Sequence, residues 1–132
     1  MKLHAFALVL LLAAPAAAFA DQAQVIALVR AAEADLRLGR NPQALEKLRQ
    51  AVELARRTAP ALVASAESSL GNAYLAGGRA ADAERTLRSA VDLARKGNDA
   101  RVTASALNNL GNALAAQGRF ADATAMYREA IS

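Results

Sequence analysis

The stretch LGNAYLAGGRAADA, Leu70 to Ala83, returns forty residues on as LGNALAAQGRFADA, Leu110 to Ala123. A chain that restates a phrase at a fixed offset is built from copies of one unit. Working outward, the echo extends to three copies. Gly39-Arg40, Gly78-Arg79 and Gly118-Arg119 correspond at spacings of 39 and 40. Ala44, Ala83 and Ala123 keep that register, and so do Arg49, Arg88 and Arg128. Ala51, Ala90 and Ala130 follow, then Val52, Val91 and Ile131. A period in this range signals stacked supersecondary units that bury their apolar faces only against one another.

Each unit reads as two helices. In the third, Leu107, Leu110 and Leu114 fall at i, i+3 and i+7, one apolar face of a helix. Gly118 stops it by supplying the left-handed conformation a helix end commonly needs. A second helix then buries Phe120, Ala123, Tyr127 and Ala130. The second unit repeats this plan with Val63, Leu70 and Tyr74, then Gly78, then Ala83, Leu87 and Ala90. The first runs from Val25 to Leu38 and into GRNP, where Asn41 is placed to cap and Pro42 sits at the first helical position. Thr58 with Pro60, and Gly97 to Asp99, mark the remaining boundaries. Composition agrees: Ala supplies 37 of 132 residues, and Ala loses no side-chain entropy on entering a helix.

The first twenty residues are a different material. MKLH carries an early positive charge, AFALVLLLAAPAAA is uninterrupted and apolar, and small residues Ala18 and Ala20 precede Asp21. This is the three-part layout of a secretory signal peptide. The uncharged run from Ala5 to Ala20 is 16 residues, shorter than the ~18 that usually span a bilayer. Expected are cleavage after Ala20, a domain of residues 21–132 without a stable membrane anchor, and a periplasmic or extracellular location. The repeats divide that domain at about 25–63, 64–103 and 104–132.

At this point the residues resemble the tetratricopeptide repeat (TPR) family. Its order of apolar residue, Leu-Gly, Tyr or Leu, Gly, Ala, aromatic or Leu, and Ala is met by Leu107, Leu110-Gly111, Leu114, Gly118, Ala123, Tyr127 and Ala130. Leu70-Gly71, Tyr74, Gly78, Ala83, Leu87 and Ala90 meet it again. The first copy has Ala31-Ala32 in place of Leu-Gly, and Glu67 stands where an apolar residue is expected. Gly71 or Gly111 with a facing Ala is expected to let two helix backbones approach closely. The period exceeds the usual ~34 residues. In this the chain is similar to the longer repeats of kinesin light chains and of the Leu-Gly-Asn polarity adaptors. The fold expected is all-α, a right-handed α-solenoid of three antiparallel helix pairs preceded by the signal-peptide helix.

For function the resemblance implies binding of a protein or peptide. Plotted at 100° per residue, Ser65, Ser68, Ser69 and Asn72 gather opposite Leu70 and Tyr74. Ser105, Asn108, Asn109 and Asn112 gather opposite Leu107, Leu110 and Leu114. In the family this surface lines a concave groove, and neutral donors and acceptors suit a peptide backbone. Ser and Asn are poor interior helix formers, so eight of them on two stripes need a reason. That reason is either a ligand groove or a polar ladder between repeats. The family's carboxylate clamp is not matched, because the bases are missing from this surface.

Other classes find little support. The formal charge is +4, falling to +3 once Lys2 is removed, and twelve acids are interspersed among the bases. Arg49, Arg88 and Arg128 read as solvated helix faces rather than a nucleic-acid ridge, with Glu84–Arg88, Glu53–Arg57 and Asp92–Lys96 at the spacing of helix ion pairs. The chain has no Cys, and its only His, His4, leaves with the signal. Thiol chemistry and an imidazole base are therefore absent from residues 21–132. No enzyme activity, metal or cofactor is expected. Ser132 falls inside the last helix, so the expectation is either a longer natural protein, this chain being its non-catalytic N-terminal part, or self-association through an uncapped end.

Overall fold

The computed structural model describes the backbone of residues 2–132 and the side chains of residues 17–132. Six helices follow one another: α1 (Lys2–Arg37), α2 (Asn41–Thr58), α3 (Val63–Ala76), α4 (Ala80–Lys96), α5 (Ala100–Ala116) and α6 (Phe120–Ile131). A single 3-10 turn, Pro60–Leu62, leads into α3. Helices pair as α1 with α2, α3 with α4 and α5 with α6, and α2 and α4 also pack on the helix that follows each. The first helices α1, α3 and α5 thus stand side by side. This is the expected solenoid of three helix pairs.

The turns show why the repeat is written as it is. Gly39, Gly78 and Gly118 have φ of 73°, 74° and 78°, the left-handed region that an L side chain rarely adopts. Each donates its N–H back to the helix it ends, to Leu36, Leu75 and Ala115 carbonyls. The following Arg40, Arg79 and Arg119 donate to Asp35, Tyr74 and Leu114, closing the Schellman motif. Arg79 and Arg119 then turn their guanidinium groups onto Asp82 and Asp122 in the first turn of the next helix. At α5 the job is done differently: Asn98 takes the left-handed φ, 53°, and the Asp99 carboxylate accepts from Val102 N–H at 3.0 Å.

The core runs along the stack in three linked clusters, with Ala44, Leu48, Ala83, Leu87, Ala106 and Ala113 fully buried. Gly71 and Gly111 do face the partner helix, but the group opposite is not Ala. A Cβ at Gly71 would lie 2.6 Å from Leu87 Cδ2, and one at Gly111 would lie 2.5 Å from Tyr127 Cε1. The glycines clear a volume for a large side chain.

Four further expectations are corrected. Asn41 does not cap α2; it occupies the first helical position, after Arg40, and its amide donates to Ala76 carbonyl at the end of α3. Pro42 accordingly falls one place further in. Phe120 is 68% exposed, because it is the first residue of α6, a position that its column-mates Asn41 and Ala80 also leave only partly buried. Of the three helix-face ion pairs, only Glu84–Arg88 forms, at 2.8 Å. Glu84 reaches further, accepting from Gln117 and Arg119 across the α5–α6 turn.

Most of the expected signal peptide lies outside the residues whose side chains are described. From Ala17 to Ala20 the side chains are exposed, and among the described residues the buried positions of α1 begin at Val25. Among the described residues no helix is long and apolar enough to cross a membrane.

Candidate functional site

Where α1, α3 and α5 stand side by side they leave a trough of about 290 Å³, with α3 as its floor. Small side chains make the depression. On α3, Ser65, Ser68 and Ser69 occupy the register positions that α1 fills with Ile26, Val29 and Arg30, 39 residues earlier. The walls carry Val25, Ile26, Val29, Arg30 and Glu33 from α1, and Arg101, Val102 and Ser105 from α5. Leu62, from the turn before α3, closes the base. Toward the other end the trough continues as a smaller cleft of about 180 Å³ lined by Glu33, Leu36, Ser68, Ser69, Asn72, Ser105 and Asn109.

Six of the eight residues singled out from the sequence are therefore brought together: Ser65, Ser68, Ser69, Asn72, Ser105 and Asn109. Two are not. Asn108 is exposed outside the trough, and Asn112 accepts a 2.6 Å hydrogen bond from the Tyr127 hydroxyl. Their counterparts Ser68 and Asn72 lie between two first helices, whereas α5 has such a neighbour on one side only among the described residues. Asn112 thus belongs in part to the structural alternative, a polar contact within its own repeat.

The hydroxyls of the floor are not equivalent. Ser65 donates to Leu62 carbonyl at 3.1 Å and is satisfied locally. Ser68 is 5% exposed, lines both parts of the trough, and bonds no protein group among the described residues. Its oxygen is not sealed in, since Glu67 Oε2 is the one buried and unpartnered side-chain oxygen or nitrogen among the described residues, so the hydroxyl is open to a donor or acceptor brought into the trough.

Sequence reasoning missed the charged walls. The surface was expected to lack bases, yet Arg30 and Arg101 line it. Register arithmetic would have found Arg30, since it is the column-mate of Ser69 and Asn109. The signal was passed over because the first copy fills that face with Ile26, Val29, Arg30 and Glu33 instead of Ser and Asn. Arg101 lies outside the columns, one residue into α5.

Away from the trough, the Arg-rich second helices carry a separate electrostatic frame. Arg79 stacks 4.7 Å from the centroid of the Tyr74 ring, and Arg49 lies 5.9 Å from it. Hydrogen bonds from Gln117 and Arg88, joined by Arg119, hold the Glu84 carboxyl below the usual carboxylate range. A hydrogen bond from Arg79 does the same for Asp82. Among the described residues no group of three or more His, Cys, Asp or Glu side chains is arranged to hold a metal ion.

Known proteins can be set beside this geometry. Residues 21–96 and 62–132 each match the family model for the tetratricopeptide repeat. No curated protein matches the sequence. Among solved structures, the TPR domain of FLU from Arabidopsis superposes with a TM-score of 0.76 at 17% identity, covering 84% of this chain and 94% of that one. A TPR-like protein from Chlorobium tepidum superposes with a TM-score of 0.72 at 16% identity, covering 86% of this chain and 80% of that one. At such identities the likeness is one of fold.

Proposed function

The chain belongs to the tetratricopeptide repeat family, and from that premise we propose that it is a protein-interaction scaffold that holds a segment of a partner protein in the trough between α1, α3 and α5. One observation carries the reading: three first helices from three repeats contribute to a single concavity, floored by small polar side chains and walled by larger ones. Serine and asparagine along that floor offer donors and acceptors to a peptide main chain, while Val25, Val29 and Val102 give an apolar side chain something to bury against. The family is generally non-catalytic, and binding requires nothing else of these residues.

We further propose that the scaffold works outside the cytoplasm, with residues 1–20 removed as a signal peptide and residues 21–132 as the working domain. The support is the composition of the leader and the fact that, among the described residues, the buried positions of α1 begin at Val25, beyond the expected cleavage point. Mass spectrometry of the protein recovered from its producing cells reads this directly. A mature N-terminus at Asp21 is the expected result, and an intact Met1 on recovered exported protein rules it out.

The trough itself is tested by photo-crosslinking. A photoreactive residue placed at Ser69 is expected to capture a partner that the same residue at Arg85, on the exposed side of α4, does not. Ser105→Trp, at an exposed position lining both parts of the trough, is expected to abolish that capture while the fold is retained. Capture from Arg85 alone, or capture indifferent to Ser105→Trp, would place the working surface elsewhere.

A further inference from the structure

The trough has a chemical bias that its polar floor does not by itself disclose. Arg30 rises from α1 and Arg101 from α5, on opposite walls, with the serines of α3 between them. Among the described residues neither guanidinium makes an ion pair, although seven other basic side chains do: Lys47, Arg56, Arg79, Arg85, Arg88, Arg95 and Arg119. Six of the twelve carboxylates in residues 21–132 are thus engaged away from the trough, and its two arginines keep their full hydrogen-bonding capacity. Glu33 lines the same space, three residues along α1 from Arg30, and offsets one of the two charges.

Beneath the arginines the walls are apolar: Val25, Val29, Leu62 and Val102, with Ile26 left 42% exposed. An Ile at a concave wall loses its exposed area when an apolar side chain is laid against it, a gain of about 25 cal/mol per Å² buried. At about 290 Å³ the space falls at the lower limit of the roughly 300–1,000 Å³ clefts that enclose a whole small molecule. It suits an anchoring side chain and the main chain beside it.

Resting on the reading of the trough as the binding surface, we infer that its occupant is an acidic segment of a partner protein, with Asp or Glu beside a branched or aromatic apolar anchor. A carboxylate meets the planar fork of arginine in two parallel hydrogen bonds, a geometry a neutral residue cannot offer. The polarity is also fixed. The acidic side chain lies at the Arg30–Arg101 end, and the main chain runs over Ser68, whose hydroxyl is unbonded, toward Asn72 and Asn109.

The test is selection of short random peptides on the full chain, followed by titration of the winners against variants. Expected is enrichment of Asp or Glu next to Leu, Ile, Val or Phe. Affinity should fall at least tenfold in Arg30→Glu/Arg101→Glu and fall again as salt rises from about 0.05 to 0.5 M. The charge-reversed double variant should itself select basic peptides, a gain that misfolding cannot produce. Winners that lose binding in Ser105→Trp but carry no acidic enrichment would overturn this inference and leave the trough standing. Winners indifferent to both sets of changes, or no winners at all, would overturn the trough reading with it. Displacement of winners by a concentration-dependent dimer would assign the site to a second copy of the chain and likewise overturn it.

Discussion

Gly111 and Tyr127 contend for one volume: the place a Cβ would take on the glycine is already filled, to within 2.5 Å, by Cε1 of the tyrosine ring. Gly71 and Leu87 stand in the same relation one repeat earlier. The two sites differ in how they can yield. Leu87 is fully buried, whereas Tyr127 is half-buried and can swing outward at the loss of its bond to Asn112. Inserting a methyl into a closed core costs roughly 1–3 kcal/mol, against about 1 kcal/mol gained in helix propensity. Gly71→Ala is therefore expected to lower stability by about 2 kcal/mol and Gly111→Ala by less than about 1 kcal/mol. Denaturant unfolding of the two variants checks the order; equal losses would mean that Leu87 moves as freely as Tyr127.

Glu67 is the polar exception in the core. It is 3% exposed at the position where the other copies carry Leu28 and Leu107. Arg56 donates to its Oε1 at 3.0 Å, and Oε2 has no partner. Replacing a buried ionic group by a well-packed apolar one is often stabilising, while removing one partner is not. Glu67→Leu is expected to raise stability by about 1 kcal/mol or more. Arg56→Ala should lower it by about 1 kcal/mol, a modest figure because the guanidinium is 58% exposed. In the Glu67→Leu background the arginine change should be neutral, and a thermal-melt double-mutant cycle reads the difference.

Glu84 ties part of the acid stability to the α5–α6 junction. Its carboxyl is held below its ordinary 4.5, first by the Gln117 amide, then by Arg88 and Arg119. A depressed carboxyl contributes stability that is present above the unfolded value and is lost as pH falls through the folded one. Melting temperature should thus decline as pH drops below about 4.5, and the decline should be shallower in Glu84→Gln, which keeps shape and loses the charge. Parallel curves for the two proteins would show that the acid limb belongs to other carboxylates.

The stretch just before Asp21 predicts tolerance to truncation. The side chains from Ala17 to Ala20 are exposed, and among the described residues Val25 is the first that is buried. A chain shortened to begin at Asp21 should melt within about 2 °C of the full chain, since surface changes that touch no packing usually stay within about 0.5 kcal/mol. A larger drop would show that the leader packs on the domain.

Much of this architecture was legible because the repeat writes the same backbone constraint three times. Gly39, Gly78 and Gly118 read as helix stops, and each holds the positive φ that makes glycine necessary. What escaped reading depends on neighbours that a single helix cannot reveal. Phe120 is apolar enough for a core, but its place at the first turn of α6 leaves it exposed. Asp35 fills the slot of Tyr74 and Leu114, buried against Lys47 at 2.5 Å, a pairing between helices that a polar residue in an apolar column does not announce. The site was half legible for the same reason. Ser and Asn stand out as poor helix formers on α3 and α5, while Ile26, Val29 and Arg30 are ordinary helix residues whose role comes only from standing opposite them.

The walls of the trough come from α1 and α5, the first helices of the first and third helix pairs, and the floor comes from α3 of the second. In a stacked array each unit is otherwise coupled to its immediate neighbours, so cooperativity decays along the axis. A chain lying against Arg30 and Arg101 at once would clasp units that are not consecutive. Its binding free energy would then enter the folding equilibrium of the whole stack by mass action. The occupied solenoid would unfold as one body, and the empty one would be free to fray from either end.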